Sequence, residues 1–318
     1  MLFEDTETNR KLAQRIFLNN LDECILFPKY FEIETVHACN AKCIMCTIEH
    51  WSKGDEAIMK ASLFNKFVEE VQPYSHWIET ICLSRDGEPT LDKTIAEKVK
   101  ILKDVGIKKV TLTTNAQLLS AELAQKLIQN GLDDIMISID GATKETFEKI
   151  RRGLTFESVV NNTLELINIR DRLQSKMTIR IRMVILKENE HEVKAFMDYW
   201  EKKTQKQDRV YAMPAHTWGN QIALEGMNTS EKTILEPCVF LFSSMAMHVN
   251  GKVSLCNADY GIKYLMGDFA LQSMKEIWNG DLYSKVRALH ANGKRNEIDL
   301  CVGCDLWNRI FIESDQEI

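Results

Sequence analysis

The sequence predicts an α/β protein, an open and partial (β/α)6 barrel followed by a small C-terminal domain. Apolar runs of strand length alternate with stretches of helical periodicity six times over roughly 190 residues after residue 31. This alternation predicts parallel strands joined by right-handed helical crossovers. Six units are fewer than the eight of a closed barrel, and the alternation stops near residue 225.

The barrel elements follow one another in a regular order. The six predicted strands cover residues 31–37, 77–83, 109–113, 135–139, 177–185 and 209–213. The helices between them lie near residues 63–71, 95–105, 120–128, 159–167 and 191–202. Ser120 is a suitable helix cap, and Gly106 and Gly131 stand where two helices should stop.

Three segments divide the chain. We expect an N-terminal helical extension over residues 1–30, the barrel over residues 31–225 and a cluster-binding domain over residues 226–318. In the last segment, Asn250 and Gly251 lie between short apolar runs, and residues 271–278 have the pattern of a short helix. A hairpin followed by a helix is therefore predicted there.

Composition excludes several classes of protein. Of 318 residues, 45% are hydrophobic and 27% are charged, which is typical of globular proteins and excludes a disordered chain. The net charge of −6 argues against sequence-independent binding of nucleic acid. No apolar run is long enough for a membrane span, and the polar, acidic N-terminus does not resemble a secretory signal. We expect a cytoplasmic protein.

Cysteines carry the first chemical signal. Nine are present, an odd number that argues against a disulfide framework. Cys39, Cys43 and Cys46, here called the first cysteine group, form a C-x3-C-x2-C triplet after the first strand. Three thiolates on a [4Fe–4S] cube leave one iron open to a small molecule, whereas structural zinc needs four ligands. His37 or His50 would supply a fourth ligand, so zinc stays open at this point.

Polar motifs follow the next strands. They are Asp86-Gly87-Glu88-Pro89 after the second strand, Thr113-Thr114-Asn115 after the third, Ser138-Ile139-Asp140-Gly141 after the fourth, and Arg151-Arg152-Gly153 beyond it. Taken alone, each motif fits an ordinary structural role as well as it fits a binding site: a turn for Gly87-Glu88-Pro89, a strand end for Asn115 and a solvated helix end for Arg151-Arg152. Together with the triplet they point to a site, because parallel α/β barrels place their chemistry at the carboxyl ends of the strands.

Over residues 31–215 the triplet and these motifs resemble the radical SAM superfamily. Met45 stands where relatives usually have an aromatic residue, and Asp86 replaces the first glycine of the family's GGEP motif. The resemblance implies a [4Fe–4S] cluster and S-adenosylmethionine (SAM), with residues 86–89 contacting the methionyl amine. Ser138 and Arg151 match residues that bind the SAM carboxylate or ribose. The cofactor-binding residues that it implies are Met45, Gly87, Glu88, Asn115, Ser138, Asp140 and Arg151.

Four further cysteines lie downstream. Cys238, Cys256, Cys301 and Cys304, here called the second cysteine group, suffice for a closed site that suits either zinc or [4Fe–4S]. The surrounding motifs resemble the SPASM and twitch extensions of radical SAM enzymes. This resemblance implies one auxiliary [4Fe–4S] cluster, and therefore two clusters in the whole chain.

Six further side chains are weaker candidates. Cys82 belongs to the second strand, as a packed core residue or as a hydrogen-atom donor to a substrate radical. Asp259 is a candidate general base beside Cys256. We expect the substrate to be bound by Arg180, Arg182, His216 and Trp218. The two arginines share one face of the fifth strand and, inside a barrel, would need anions as partners.

The resemblance implies reductive cleavage of SAM to a 5′-deoxyadenosyl radical, which abstracts hydrogen from a substrate C–H. We expect two-electron dehydrogenation of a small polar molecule, such as a sugar or aminocyclitol alcohol, with an electron donor such as flavodoxin or ferredoxin. One alternative is a radical epimerase or dehydratase. A peptide-modifying enzyme is another, although the roughly 30 residues before the first strand are few for a leader-binding domain. A non-enzymatic iron–sulfur or zinc module is the third. Neither nucleic acid nor membrane is expected as a partner.

Overall fold

Six parallel strands form the barrel, as predicted. The computed structural model describes residues 2–51, 57–222, 234–304, 306–307 and 312–313. Its strands are β1 Tyr30–Ile33, β2 Lys42–Cys43, β3 Thr80–Cys82, β4 Val110–Thr114, β5 Asp134–Ser138, β6 Arg151–Arg152, β7 Thr178–Ile185, β8 Arg209–Pro214, β9 Ser244–Met247, β10 Lys252–Ser254, β11 Leu265–Asp268 and β12 Ile312–Glu313. Strands β1, β3, β4, β5, β7 and β8 are neighbours in that order, and all their pairings are parallel.

Helices connect the strands. They are α1 Glu7–Arg15, α2 Ala61–Val71, α3 Ile95–Asp104, α4 Ala121–Gln129, α5 Lys144–Ile150, α6 Phe156–Arg172, α7 Val193–Glu201, α8 Val239–Ser243, α9 Met274–Trp278 and α10 Asp281–Ala291. Ser120 caps α4 by accepting a hydrogen bond from the Leu123 N–H. Gly106 and Gly131 take positive φ angles just after α3 and α4, where both stops were predicted. No helix among the described residues is long and apolar enough to cross a membrane.

Two strands are shorter than predicted. The first ends at Ile33 and not at residue 37, and the second begins at Thr80 because Gln72–Tyr74 form a 3₁₀ turn and the chain turns again before the strand. The short pair β2–β6 was not predicted, because two residues per strand carry no periodicity. It joins the first cysteine group to the segment that holds Arg151.

The C-terminal segment continues the barrel sheet. Strand β9 pairs in parallel with β1, and the predicted hairpin β9–β10 is followed by β11, which together with the six barrel strands makes nine of the ten strands of this sheet among the described residues. On the other edge, β12 pairs antiparallel with β8. The boundary expected between residues 225 and 226 lies outside the described residues. The second cysteine group is thus brought beside the first strand of the barrel.

Candidate active site

The loop of the first cysteine group is held by β2 and β6. Cys43 pairs with Arg151 across this ribbon, and the Ile44 N–H donates to the Ile150 carbonyl at 3.0 Å. All three cysteines are half-buried and line one cavity of about 320 Å³ at the carboxyl ends of the barrel strands. The predicted triplet therefore opens into an internal space.

The thiols of the first cysteine group are poor anions without a counter-charge. Burial raises the pKa of Cys39 to about 12 and that of Cys46 to about 11, and it also raises the pKa of Cys43. Arg151 partly offsets this effect at Cys43, with Nη1 at 3.8 Å from the sulfur. Binding of metal replaces the thiol protons, so these buried cysteines suit a group that brings positive charge.

The spacing of the sulfurs distinguishes a cluster from a single ion. Among the described residues, neither cysteine group brings three sulfurs within 4.8 Å of one another; the one group that meets this limit is Glu34, Asp86 and His248. Thiolates on one tetrahedral zinc ion lie about 3.8 Å apart, given a Zn–S bond of about 2.3 Å. As placed, the sulfurs of neither group are therefore arranged as the ligands of one zinc ion.

The turn at Gly87 packs directly against the cysteine loop. A Cβ on Gly87 would lie 2.0 Å from the Val36 carbonyl oxygen and 2.7 Å from that of Ala38, so only glycine fits. The next N–H, that of Glu88, donates to the Ala38 carbonyl at 2.8 Å. The backbone of the GGEP-like motif is therefore fixed beside Cys39.

The carboxylate of Glu88 is fully engaged by the protein. Oε1 accepts hydrogen bonds from the Thr90 N–H, the Thr90 hydroxyl and the Thr114 hydroxyl, and Oε2 accepts one from the Asn115 N–H at 2.8 Å. Glu88 thus connects the loop after β3 to the end of β4. Asn115 donates from Nδ2 to Asn40 Oδ1 at 2.8 Å, which places its amide beside the cysteine loop.

Donor groups converge on the opposite wall of this cavity. Arg151 is buried against Asp140, with Nη2 at 2.7 Å from Oδ2, and the other Asp140 oxygen accepts the Val184 N–H. Arg182 donates from Nη2 to the Ser138 hydroxyl at 3.1 Å. The Nε atoms of Arg151 and Arg182 are buried without a hydrogen-bond partner among the described residues. Such orphaned donors suit an anionic ligand group such as the SAM carboxylate.

The two predicted arginines have different surroundings. Arg180 is paired with Asp134, whose Oδ1 lies 2.7 Å from Nε and 2.6 Å from Nη2. Asp134 is therefore the anion beside Arg180, and a role of Arg180 in binding the substrate stays a prediction. For Arg182, burial lowers the pKa, and none of the described hydrogen bonds or ion pairs joins it to a carboxylate.

His216, Trp218 and Met45 lie together in the wall of this cavity. The His216 and Trp218 rings are 4.4 Å apart between centroids, and the Trp218 indole N–H donates to the Met45 carbonyl at 3.1 Å. The loop after β8 is thereby attached to the first cysteine group. Cys82 also lines the cavity, with its sulfur 3.2 Å from the Ser84 hydroxyl, and burial raises its pKa so that it stays a thiol.

A second cavity of about 890 Å³ continues inside the barrel towards the amino ends of the strands. Its walls share eight residues with those of the first cavity: Glu32, Cys82, Thr113, Met136, Arg182, Met213, Asn257 and Leu306. The first cysteine group therefore adjoins an internal space with room for a small molecule. Glu32 was missed by the sequence analysis, although it alternates with the buried Phe31 and Ile33 in β1.

The second cysteine group comes together beside this space. Burial, reinforced by the charges of the other three thiols, raises the pKa of Cys256 well above its usual range. Cys301 and Cys304 share a tight turn in which the Cys304 N–H donates to the Cys301 carbonyl. Asn257, next to Cys256, lines both cavities. The two cysteine groups therefore approach the same interior.

Arg85 connects the two groups. Its guanidinium is buried, pairs with Asp86 of the GGEP-like motif, and donates from Nη2 towards the carbonyls of Cys256 at 3.4 Å and Asp259 at 3.0 Å. No sequence motif marks Arg85 as a site residue. Asp259 itself is fully buried, and its oxygens accept the N–H groups of Leu255, Lys263 and Tyr264. These bonds hold the loop around Asp259, and its role as a general base stays a prediction.

Sequence comparisons agree with this geometry. The profile of the radical SAM superfamily matches residues 33–199, and that of SPASM, an iron–sulfur cluster-binding domain, matches residues 238–305. A probable GTP 3′,8-cyclase of Saccharolobus islandicus is 30% identical over 166 residues, 52% of this chain and 51% of that protein. One from Sulfolobus acidocaldarius is 36% identical over 118 residues, 37% of this chain and 36% of that protein. The chain spans about half the length, or less, of these curated relatives.

Solved structures with the same fold are more distant in sequence. BtrN in complex with AdoMet and 2-DOIA is 17% identical, with a TM-score of 0.59 over 86% of this chain and 92% of that one. SuiB of Streptococcus suis bound to the precursor peptide SuiA is 17% identical, with a TM-score of 0.66 over 88% and 70%. Native anSMEcpe with bound AdoMet is 17% identical, with a TM-score of 0.62 over 82% and 83%.

Proposed function

The chain belongs to the radical SAM superfamily, and from that premise we propose that it removes two hydrogens from a small polar alcohol held inside the barrel. It is a radical SAM enzyme with a SPASM-type domain, and its cofactors are SAM and [4Fe–4S] clusters. When bound, these groups supply a 5′-deoxyadenosyl radical at the first site and an electron acceptor at the second. An external one-electron donor, of the flavodoxin or ferredoxin kind, completes the system.

The residues around the first cavity divide the binding of SAM among them. The first cysteine group holds the site cluster. Arg151 and Ser138 take the SAM carboxylate, since Arg151 has an unpartnered buried donor. Because the Glu88 carboxylate is engaged, the backbone of Gly87 and Glu88 contacts the amine. Asn115 completes this wall, and Asp140 and Met45 position their neighbours.

One observation carries the proposal of dehydrogenation. Asn257, adjacent to Cys256, lines the cavity that the first cysteine group also lines. A cluster held by the second cysteine group would thereby lie near enough to the substrate to accept an electron from it. A site closed by four thiolates leaves no iron open for a ligand, so electron transfer is its role.

The cavity walls favour a compact substrate. Arg182 offers a cation with an unpartnered, buried Nε to an electronegative group, and His216 and Trp218 line the same cavity. Support also comes from the similarity to BtrN, which covers 92% of that chain and whose structure holds 2-DOIA. The cyclase named among the curated relatives is matched over half its length, so a nucleotide substrate has weaker support.

Product mass tests the proposal. Anaerobic incubation with SAM, a strong reductant and candidate polyols should yield a product lighter by two hydrogens, with about one 5′-deoxyadenosine per product. A product of unchanged mass would refute dehydrogenation.

Cys82 supports a second candidate, radical epimerisation. It lines both cavities and stays protonated, as a hydrogen-atom donor must. Epimerisation predicts incorporation of solvent deuterium at carbon, and Cys82→Ala should abolish it while the iron content stays constant.

A further inference from the structure

Glu32 lies where the two cavities meet. It belongs to β1, opposite Cys82 of β3 in the parallel register, and both side chains line the shared wall. Among the described residues its carboxylate has one hydrogen bond, from Asn257 Nδ2 to Oε1 at 3.3 Å. Its other oxygen keeps its lone pairs for a ligand.

The other carboxylates that line these cavities are engaged. Asp86 is paired with Arg85, and Asp134 with Arg180 and Lys109. Glu88 accepts four hydrogen bonds from the chain. Of the acidic residues described on the two walls, Glu32 is therefore the one that lines both cavities and has no ion-pair partner.

The surroundings of Glu32 suit a base that works near neutral pH. Burial raises its pKa to about 7; Arg85 lowers it in part, Asp86 raises it, and the bond from Asn257 lowers it. Cys82 faces it from β3, and Arg182 and Tyr211 lie on the same cavity walls. Its register partner on β9, Ala246, carries no charge. General bases work best when their pKa lies near the working pH.

We propose that Glu32 is the general base of the dehydrogenation and that the substrate places the hydroxyl to be oxidised against it. This inference rests on the proposed function. The substrate C–H loses its hydrogen atom to the 5′-deoxyadenosyl radical, the O–H proton passes to the Glu32 carboxylate, and the remaining electron leaves to the oxidised auxiliary cluster. The C–O single bond becomes a carbonyl, so atoms and electrons balance.

A base at the position of Glu32 would help the substrate radical to lose its electron. A carbon radical that bears a hydroxyl becomes a much stronger reductant once that hydroxyl is deprotonated. The residue that hydrogen-bonds Glu32, Asn257, adjoins the cluster ligand Cys256. Deprotonation and electron departure therefore occur on the same side of the substrate.

The test compares holoenzymes carrying Glu32→Gln, Glu32→Asp and, as a matched surface control, Glu122→Gln on α4. In addition to the C=O band of Asp86, whose pKa burial also raises to about 7, infrared spectra of wild type recorded across pH should show the C=O band of a second carboxylic acid that disappears with a midpoint near pH 7. This band should be missing in Glu32→Gln and present in Glu122→Gln. The readout does not depend on turnover.

Turnover supplies the second readout. Glu32→Gln should form oxidised product about 10²- to 10⁴-fold more slowly, the usual contribution of a general base, and the ratio of 5′-deoxyadenosine to product should rise. Glu32→Asp should restore part of the rate, and iron content should match wild type in all variants. The acidic limb of the wild-type pH profile should be lost in Glu32→Gln.

Two outcomes overturn the inference in distinguishable ways. If wild type oxidises the substrate and Glu32→Gln matches its rate and pH profile, Glu32 is not the base while the proposed function stands. If wild type forms no product lighter by two hydrogens, the proposed function fails and the role of Glu32 fails with it.

Discussion

Arg151 and Arg152 offer a matched pair of substitutions. They are consecutive in β6, yet Arg151 is buried beside Cys43 and Asp140, whereas Arg152 is exposed. A charge-assisted hydrogen bond contributes about 1.5–3 kcal/mol, and 1.4 kcal/mol is tenfold in affinity. Arg151→Ala should therefore weaken SAM binding about 10- to 100-fold, and Arg152→Ala should leave it unchanged.

The same substitution has a cost in stability. Asp140 is fully buried, and removal of the partner of a buried charge costs about 3–5 kcal/mol. Arg151→Lys keeps the positive charge, so it should lose less stability while still weakening SAM binding, because it presents a single ammonium.

Equilibrium binding of SAM to the cluster-loaded protein is the assay, with iron content and denaturant midpoints measured on each variant. Equal SAM affinity in Arg151→Ala and Arg152→Ala, at equal iron content, would refute the assignment of Arg151 to the SAM site.

Three further predictions concern the clusters, the loop packing and the response to pH. Reconstituted protein should carry about eight irons and eight sulfides, and alanine at all three positions of the first cysteine group should leave about four and abolish SAM cleavage; stoichiometric zinc with four irons in wild type would contradict the second site. Gly87→Ala should disrupt the first cysteine loop and SAM binding because its Cβ meets the Val36 carbonyl, whereas Gly261→Ala, with no atom within 4 Å of its Cβ, should behave as wild type; equal SAM affinity in both would contradict the packing argument. Burial and Arg85 lower the pKa of His248 to about 4, so the unfolded chain binds more protons than the folded protein between about pH 4 and 6.5. The free energy of unfolding should therefore fall by about 3 kcal/mol as the pH drops through that window. Chemical denaturation at several pH values should show a smaller fall for His248→Asn.

The barrel could be predicted because its strands carry apolar residues at every second position, on the face turned to the core. Ile135 and Ile137 in β5 and Ile179 and Ile181 in β7 are fully buried for that reason. Helix ends were also readable, as the cap at Ser120 shows. The order of strands beyond the barrel could not be predicted from the sequence. The pairing of β9 with β1 joins residues more than 200 positions apart, and local periodicity does not show which distant strands pair.

The site divides in the same way. Side chains with a motif, such as the first cysteine group, Ser138 and Arg151, were predicted, and the structure brings them to one cavity. Side chains whose role depends on burial could not be predicted from the sequence. Glu32 is an ordinary acidic residue in the sequence and becomes distinctive only because few groups around it neutralise its charge.

Arg85 shows how the two halves of the site are coupled. Removing two opposite charges from water costs several kcal/mol per ion, so a buried Arg85–Asp86 pair is poorly explained by stability alone. One guanidinium, however, contacts Asp86 of the GGEP-like motif and the carbonyls around Cys256 at the same time. Because a buried charge tolerates few alternative positions, the pair fixes the second cysteine group relative to the first. Electron transfer falls steeply with distance, so a rigid connection of this kind would serve the proposed dehydrogenation, in which the substrate must give up its electron before the radical is quenched.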